Sequence, residues 1–323
     1  MNKHLISIVI PCYNCSLTIS DTLESIENGA ILYMDRFEVI LVNDGSNDDT
    51  LEIIETFKEK SKLKIKIISQ NNAGVSVARN KGIDASNGSV LIFLDSDDMF
   101  APSYLDGVYK LISSQKCDVL YCDRTSDKVK FNSIDLRKKF WEKLKAEQVL
   151  KKYTYSKADI GFCSFVYKKE ILERENLYFT PGIKYGEDWE FVTKYLSCCE
   201  TAVHLKCAYF YRILENSVSR SINYNQIDAI ECSKRTYKFL EEKEHNFAHE
   251  FYKYMYPRTI FSVAHRFGKS RNKKMIKKFE VDYNVKNAML QMIKNENVDI
   301  KSKLAALVYC FNRRFFYFLC SKF

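Results

Sequence analysis

Short, mostly apolar runs recur along the first hundred positions, and each is followed by a stretch with helical spacing. Leu5–Ile10, Phe37–Val42, Ile65–Ile68 and Val90–Leu94 read as strands, the first as a buried one and the last as buried on both faces. Between them, residues 16–28, 48–59 and a segment from Gly74 to before Gly88 read as helices. In the first of these Leu17, Leu23 and Ile26 are the apolar positions, and Ser16 is a candidate cap. Pro11 is expected to end the first strand. Such alternation predicts βαβ units and a mostly parallel sheet.

Beyond residue 100 the order changes. The pattern predicts a helix over 103–113, a strand over 119–122, a basic helix over 136–151 and a strand over 161–166. Gly186-Glu187-Asp188-Trp189-Glu190 opens a helix running to Cys199, and 201–212 reads as a further strand. From Asn225 onward the chain reads as helical, with Tyr and Phe interleaved among Lys and Arg. The expected divisions are 1–100, 101–222 and 223–323, with no internal repeat.

Composition narrows the class. The 323 residues suit one large domain or two modest ones, and 46% hydrophobic with 28% charged content is ordinary for a globular chain. Eleven scattered cysteines argue for reduced thiols and a cytoplasmic location, not a disulfide framework. No signal-peptide pattern follows Met1, and no apolar run reaches the ~18 residues of a membrane span. Charge is uneven: residues 251–323 hold 16 Lys or Arg against 4 Asp or Glu, a net of +12, whereas the first 250 carry a net of −3.

Parallel sheets bind ligands at the carboxyl ends of their strands, so those ends are informative. The first ends in Pro11-Cys12-Tyr13-Asn14 and the second in Asn43-Asp44-Gly45-Ser46. The third ends in Gln70-Asn71-Asn72-Ala73-Gly74 and the fourth in Asp95-Ser96-Asp97-Asp98. Three carboxylates within four residues repel one another and raise one another's pKa. A divalent cation with hard oxygen ligands, Mg²⁺ or Mn²⁺, would relieve that repulsion. The plain alternative is a solvated acidic turn. No Gly-x-Gly-x-x-Gly or P-loop pattern is present, which excludes the ordinary dinucleotide and NTPase fingerprints.

In order, Pro11-Cys12-Tyr13-Asn14, Asn43-Asp44-Gly45-Ser46, Asn72-Ala73-Gly74 through Ala78-Arg79-Asn80, Asp95-Ser96-Asp97 and Glu187-Asp188 resemble the family 2 glycosyltransferases. The likeness covers residues 5–220. It implies an α/β fold of the GT-A type, a Rossmann-like mixed sheet flanked by helices, followed by a C-terminal helical basic subdomain. It implies an inverting enzyme that moves a sugar from a UDP-sugar to a glycan acceptor, with Mn²⁺ or Mg²⁺ as cofactor. In that likeness Asp44 contacts the uracil or ribose, Pro11 and Tyr13 wall the base, and Arg79 reaches the nucleotide. Asp95 lies toward the ribose and Asp97 binds the metal. Asn14, Asn71, Asn72, Gly74 and Ser96 complete the expected donor-binding set, and Asp98 is assigned to capping the next helix.

Asp188 is the candidate general base. Direct displacement needs the acceptor hydroxyl deprotonated as it attacks, and a carboxylate near an apolar wall such as Trp189 is suited to that. An acid in the first turn of a helix is also stabilised by the helix dipole, the bland reading of the same residue. Tyr211-Arg212 and Ser217-Val218-Ser219 resemble a further family element in which a His two residues after the Arg completes the metal site. Leu214 stands at that position here, with His204 or Arg212 as possible substitutes. The expected partners are the UDP-sugar, a glycan or lipid-linked glycan acceptor, and an anionic membrane met by the basic C-terminal region, whose other reading is a solvated helical subdomain that packs on the catalytic domain or a second subunit. Nucleic acid is not expected.

Other signals are weaker. Cys12-Tyr13-Asn14-Cys15 has redox spacing, but no second cysteine pair completes a zinc site. His245 and His249 share a helical face, yet Asn246 stands where a zinc protease carries Glu. Cys198-Cys199 reads as helix packing. The competing functions are a phosphotransferase or nucleotidyltransferase using the same carboxylates, and a non-catalytic sugar-nucleotide or glycan-binding module. A dehalogenase-like phosphatase would want Thr or Val where Met99 stands.

Overall fold

The computed structural model describes residues 5–114, 116–127, 131, 141–213 and 221–322. The chain divides into two compact units, Met1–Gly182 with Phe191–Leu214, and Ile183–Glu190 with Glu215–Phe323. The expected boundary at residue 100 lies within the first unit.

The first unit opens with β1 (Ile6–Cys12), α1 (Ile19–Gly29), β2 (Phe37–Asn43), α2 (Thr50–Lys60), β3 (Lys64–Ser69), α3 (Val75–Ala85) and β4 (Val90–Phe93). It continues with α4 (Tyr104–Ser114), β5 (Val119–Thr125), β6 (Trp141–Lys145), α5 (Ala146–Thr154), β7 (Phe165–Lys168) and α6 (Lys169–Arg174). After α7 (Glu187–Ser197), whose first turn falls in the second unit, comes β8 (Thr201–Phe210). The described strands form one sheet in the order β3-β2-β1-β4-β7-β5-β8-β6. The first four are parallel, β7 runs antiparallel to both β4 and β5, and β8 runs parallel to β5.

All seven positions of β2 are buried, as its near-continuous apolar run requires of a central parallel strand. The exception in chemistry is Glu38, whose carboxylate accepts from Ser7 Oγ and from the amide of Asn87, both at 2.6 Å. Those bonds tie the turn before β4 to β1 and make the buried charge tolerable. Aromatic rings fill the other side: Phe93 lies 5.1 Å from Phe162, and Phe179 stacks on Phe191 at 4.0 Å.

Three expectations are corrected. β1 continues through Pro11 to Cys12, because β4 pairs with it only from Ile6 to Val9 and needs no amide from Pro11. The predicted helix over 136–151 is β6 followed by α5, with 136–140 outside the described residues. Trp141-Glu142-Lys143-Leu144-Lys145 pairs along the free side of β8, and its lysines are typical of a protected edge. The predicted strand over 161–166 is a short 3₁₀ turn, Phe162–Ser164, and then β7.

The second unit is helical as expected: α8 (Asp228–Glu242), α9 (Ala248–Ser270), α10 (Lys273–Asp282), α11 (Val285–Lys294), α12 (Ile300–Phe311) and α13 (Arg313–Cys320). Its segmentation is written in caps. Asn272, Asn284, Asp299 and Asn312 each accept, through the side chain, an amide hydrogen of the helix they precede. Among the described residues no helix is long and apolar enough to cross a membrane.

Gly82 on α3 lies so close to β1 that an added Cβ would fall 2.1 Å from Val9 Cγ1. Gly82→Ala is expected to lose about 1–3 kcal/mol to overpacking despite the better helix propensity of alanine. A lowered urea midpoint with an unchanged slope would show it; an unchanged or raised midpoint would refute the close fit.

Candidate active site

The loop after β4 is built to hold carboxylates together. Leu94 is the last apolar position, its amide bonded to Val9 O at 3.1 Å, and Asp95–Asp98 turns back with the Asp98 amide on Asp95 O at 3.1 Å. Two threonines of the α1 segment grip the loop from below. Thr18 Oγ1 donates to Ser96 O at 2.9 Å, and Thr22 Oγ1 reaches Asp98 O at 2.8 Å. From the end of β8 the Arg212 amide donates to Asp98 Oδ1 at 3.0 Å, and its Nε donates to Asp97 O at 3.0 Å. Reciprocal backbone bonds between Met99 and Phe210 weld the two segments.

Arg79 is buried beneath this loop. Its Nη2 donates to Asp95 Oδ1 at 2.9 Å, and its guanidinium lies 4.5 Å from the Phe162 ring centre and 5.3 Å from that of Phe179. Aromatic faces offset part of the cost of desolvating a cation, and the ion pair with Asp95 offsets more. Asn80, next on α3, exchanges two 2.8 Å bonds with the backbone of Phe179 and so secures one of those rings.

The remaining carboxylates show the strain of crowding. Asp97 is pushed up to about 6, first by burial and then by the charge of Asp95, with Arg212 acting in the opposite sense. Asp98 is raised further, by burial and by both neighbouring carboxylates. It stands five residues before the N-cap position of the following helix, which starts at Tyr104, and its Oδ1 accepts the Arg212 amide instead. Ligand atoms of Asp95, Asp98 and the buried Cys163 lie within 4.8 Å of one another. Asp98 is buried and Asp95 and Asp97 are partly exposed, and adjacent carboxylates whose ionised forms disfavour one another are donor chemistry that a divalent cation fits.

The loops from the other strands interlock. Asp44 is buried at the end of β2, and its Oδ1 accepts from Gln70 Nε2 at 2.7 Å and the Ala73 amide at 2.8 Å. Its Oδ2 accepts the Gly74 amide at 2.8 Å, and its carbonyl accepts from Asn72 Nδ2 at 3.0 Å. The Asp44 carboxylate therefore shapes the loop in which Asn71, Asn72 and Gly74 lie exposed. Gly74 has φ +92°, a left-handed conformation that only glycine enters freely, and it starts α3. Beside β1, Tyr13 is 49% exposed, Pro11 is half-buried, and Asn14 Oδ1 accepts the Asn47 amide at 2.8 Å. Pro11, Tyr13, Asn14, Asp44, Asn71, Asn72, Gly74, Arg79, Asp95, Ser96 and Asp97 thus all stand at or beside the carboxyl ends of β1–β4.

Asp188 belongs to the second unit, half-buried in the first turn of α7 after Gly186 (φ +89°). Its neighbour Trp189 stacks on Phe251 at 5.3 Å, and Glu190 pairs with both the Nε and Nη2 of Arg235, at 3.0 and 2.6 Å. Leu214 and Ser217-Val218-Ser219 lie outside the described residues. His204 bridges Asp123 at 3.1 Å and Glu142 at 3.3 Å and stacks on Tyr121, the surroundings of a packed sheet histidine. Cys12 and Cys15 are buried free thiols, the latter pushed down to about 7 chiefly by a hydrogen bond with Cys12. His245 Nδ1 accepts the Phe247 amide at 3.1 Å, which gives it a local backbone role.

Several residues escaped the sequence reading: Cys163 beside the carboxylates, Phe162 and Phe179 around Arg79, and Thr18 and Thr22 under the loop. Only Thr18 and Thr22, four apart on one helical face, left a trace in the pattern. The others are distant in sequence and carry no motif.

A profile described as Glycosyl transferase family 2 matches residues 7–175. The chain is similar to an uncharacterized glycosyltransferase, EpsJ, of Bacillus subtilis, 29% identical over 228 residues that cover 67% of this chain and 63% of EpsJ. It is similar to the poly(ribitol-phosphate) beta-N-acetylglucosaminyltransferase TarS of Staphylococcus aureus, 28% identical over 210 residues, covering 64% of this chain and 35% of TarS. The matched segment thus spans less than two thirds of either relative. A crystal structure of TarS 1–349 with UDP-GlcNAc superposes with a TM-score of 0.71 at 20% identity, covering 98% of this chain and 90% of that one. The mannosyltransferase PcManGT of Pyrobaculum calidifontis, in complex with GDP-Man and Mn²⁺, gives 0.57 at 13% identity, covering 97% and 89%. At these identities the two structures establish the shared fold.

Without a bound cation, Asp97 links stability to pH. Its folded pKa of about 6 lies above its ordinary value of 3.8, so protonation favours the folded state. That contribution is complete below the ordinary value and is lost as the pH rises through the folded one. Melting temperature in chelator is therefore expected to fall between about pH 4 and 6, and Asp97→Asn, which cannot ionise, should flatten that fall. An equally steep fall in the variant would refute the assignment.

Proposed function

The chain belongs to glycosyl transferase family 2, and from that membership we propose that it transfers a sugar from a UDP-sugar to a glycan acceptor during cell-surface polysaccharide synthesis. The observation that carries the reading is the cluster of carboxylates, Asp98 buried and Asp95 and Asp97 partly exposed, at the carboxyl end of parallel strands, braced by Arg79 and Arg212. The names of the relatives support a surface-polymer product, and the TarS complex supports a uridine donor.

Asp97, with Asp95 beside it, is the residue assigned to hold Mn²⁺ or Mg²⁺. When bound, the cation would neutralise charge developing on the diphosphate as the sugar departs. Arg79 acts through Asp95, pairing with its carboxylate and orienting it within the crowded loop. Asp44 fixes the loop of Asn71, Asn72 and Gly74, while Tyr13 offers an exposed ring on which a base can stack. Asp188 is assigned as the general base. Its carboxylate takes the proton of the acceptor hydroxyl as that oxygen attacks the anomeric carbon, so the donor's configuration is inverted. Peripheral contact of the basic C-terminal region with an anionic membrane belongs to the same reading, because it would bring the enzyme to a lipid-linked acceptor.

The test uses a panel of UDP-sugars and GDP-mannose. Hydrolysis of the favoured donor without acceptor should depend on Mn²⁺ or Mg²⁺ and fall about 10²-fold or more in Asp97→Ala. Turnover that ignores both the ion and the substitution would overturn the metal assignment. Asp188→Asn should keep its UDP affinity yet lose transfer by about 10²–10⁴-fold. Full transfer by that variant would remove Asp188 as the base.

A further inference from the structure

The last two helices present an apolar stripe to solvent. On α12, Ile300, Leu304 and Phe311 fall within about 40° of one another at helical spacing, and they are 75%, 57% and 89% exposed. Asn312 breaks and restarts the helix, accepting the Phe315 amide at 3.0 Å. On α13, Phe315 and Phe318 are also exposed, at 48% and 55%, their rings stacked on each other at 6.4 Å.

The core of the unit does not need these residues. Its side of α13 is Phe316 and Cys320, where an added Cβ on Gly268 of α9 would meet Cys320 Cβ at 2.6 Å. Tyr309, Tyr317 and Arg313 are drawn inward to Glu280, with Tyr309 Oη at 2.7 Å and Arg313 Nη1 at 3.1 Å from its carboxylate. The helices are thus anchored through one face, and the exposed rings are left over.

Charge identifies the occupant. Residues 300–323 contain five Lys or Arg and no Asp or Glu. Lys301, Arg314 and Lys322 are exposed, and the Lys322 ammonium lies 5.8 Å from the Phe318 ring centre. Apolar and aromatic side chains interleaved with cations fit the interface of an anionic bilayer, where rings enter the acyl boundary and cations meet headgroups. A protein partner of this face would have to supply both an apolar groove and an acidic rim; a bilayer supplies both everywhere.

We infer that the exposed face of α12 and α13, centred on Phe311, Phe315 and Phe318 and flanked by Arg314 and Lys322, docks on anionic lipid. The inference deepens the membrane contact of the proposed function and rests on that reading only for the acceptor's location. Its test is co-flotation of the full chain with vesicles of phosphatidylglycerol and phosphatidylcholine, against phosphatidylcholine alone.

The wild-type chain should float with the anionic vesicles and lose that binding in high salt. Partitioning should drop about tenfold or more in F311S/F315S and again in R314E/K322E, at about 1.4 kcal/mol per factor of ten. Unchanged helicity and melting temperature would show that each variant is folded. Wild-type binding equalled by both folded variants, or no wild-type binding at all, would overturn the proposal. So would a wild-type dimer, seen by light scattering, that F311S/F315S dissociates while vesicle binding persists. Donor hydrolysis should be unchanged in both variants; its absence from every protein, wild type included, would count against the transferase reading and leave the flotation result standing.

Discussion

Mutual repulsion among the carboxylates of Asp95, Asp97 and Asp98 is the constraint around which the first unit is arranged. A chain left to itself would spread these groups into water. Here the loop is held closed by hydroxyls from Thr18 and Thr22, by the Arg212 backbone and side chain, and by the Met99–Phe210 bridge. Each bond is made to backbone or to a carboxylate already committed, so the brace fixes the turn without neutralising Asp97. Its proton affinity stays raised, by burial first and by the charge of Asp95 second.

The neighbouring loops follow the same logic with a different atom at the centre. Asp44 converts what would be a free turn after β3 into a rigid ledge, because its carboxylate accepts two amides and a side-chain amide from that loop. Arg79 is likewise turned inward, between two phenyl rings and against Asp95. Residues that the motifs associate with ligand therefore have structural duties of their own here. The exposed groups, Tyr13, Asn71 and Asn72 among them, are left to meet whatever binds.

The helical unit is organised by capping and by small residues at close approaches. Side-chain caps at Asn272, Asn284, Asp299 and Asn312 divide it into short helices that turn one face inward. The face left outward on α12 and α13 is both apolar and cationic, a combination that water alone does not favour.

Hydrophobic runs and turn chemistry determined much from the sequence: the four parallel strands, the helices between them, Arg79's among them, and the strand ends that carry Asp44 and Asp95–Asp98. Those features are local, set by burial period and by residues with special backbone or hydrogen-bonding preferences. Trp141–Lys145 was misread because an edge strand rich in lysine has helix-like propensity and becomes a strand only by pairing with β8. Cys163, Phe162, Phe179 and the bracing role of Arg212 were invisible for a related reason. Each acts on the carboxylates through contacts that span tens of residues or more, and such contacts leave no period in a sequence. The sequence by itself determined which carboxylates stand together at the end of β4. Only tertiary structure decided how far each is buried and which backbone and cationic groups face it, because desolvation and charge pairing are properties of the folded surroundings, not of the residue.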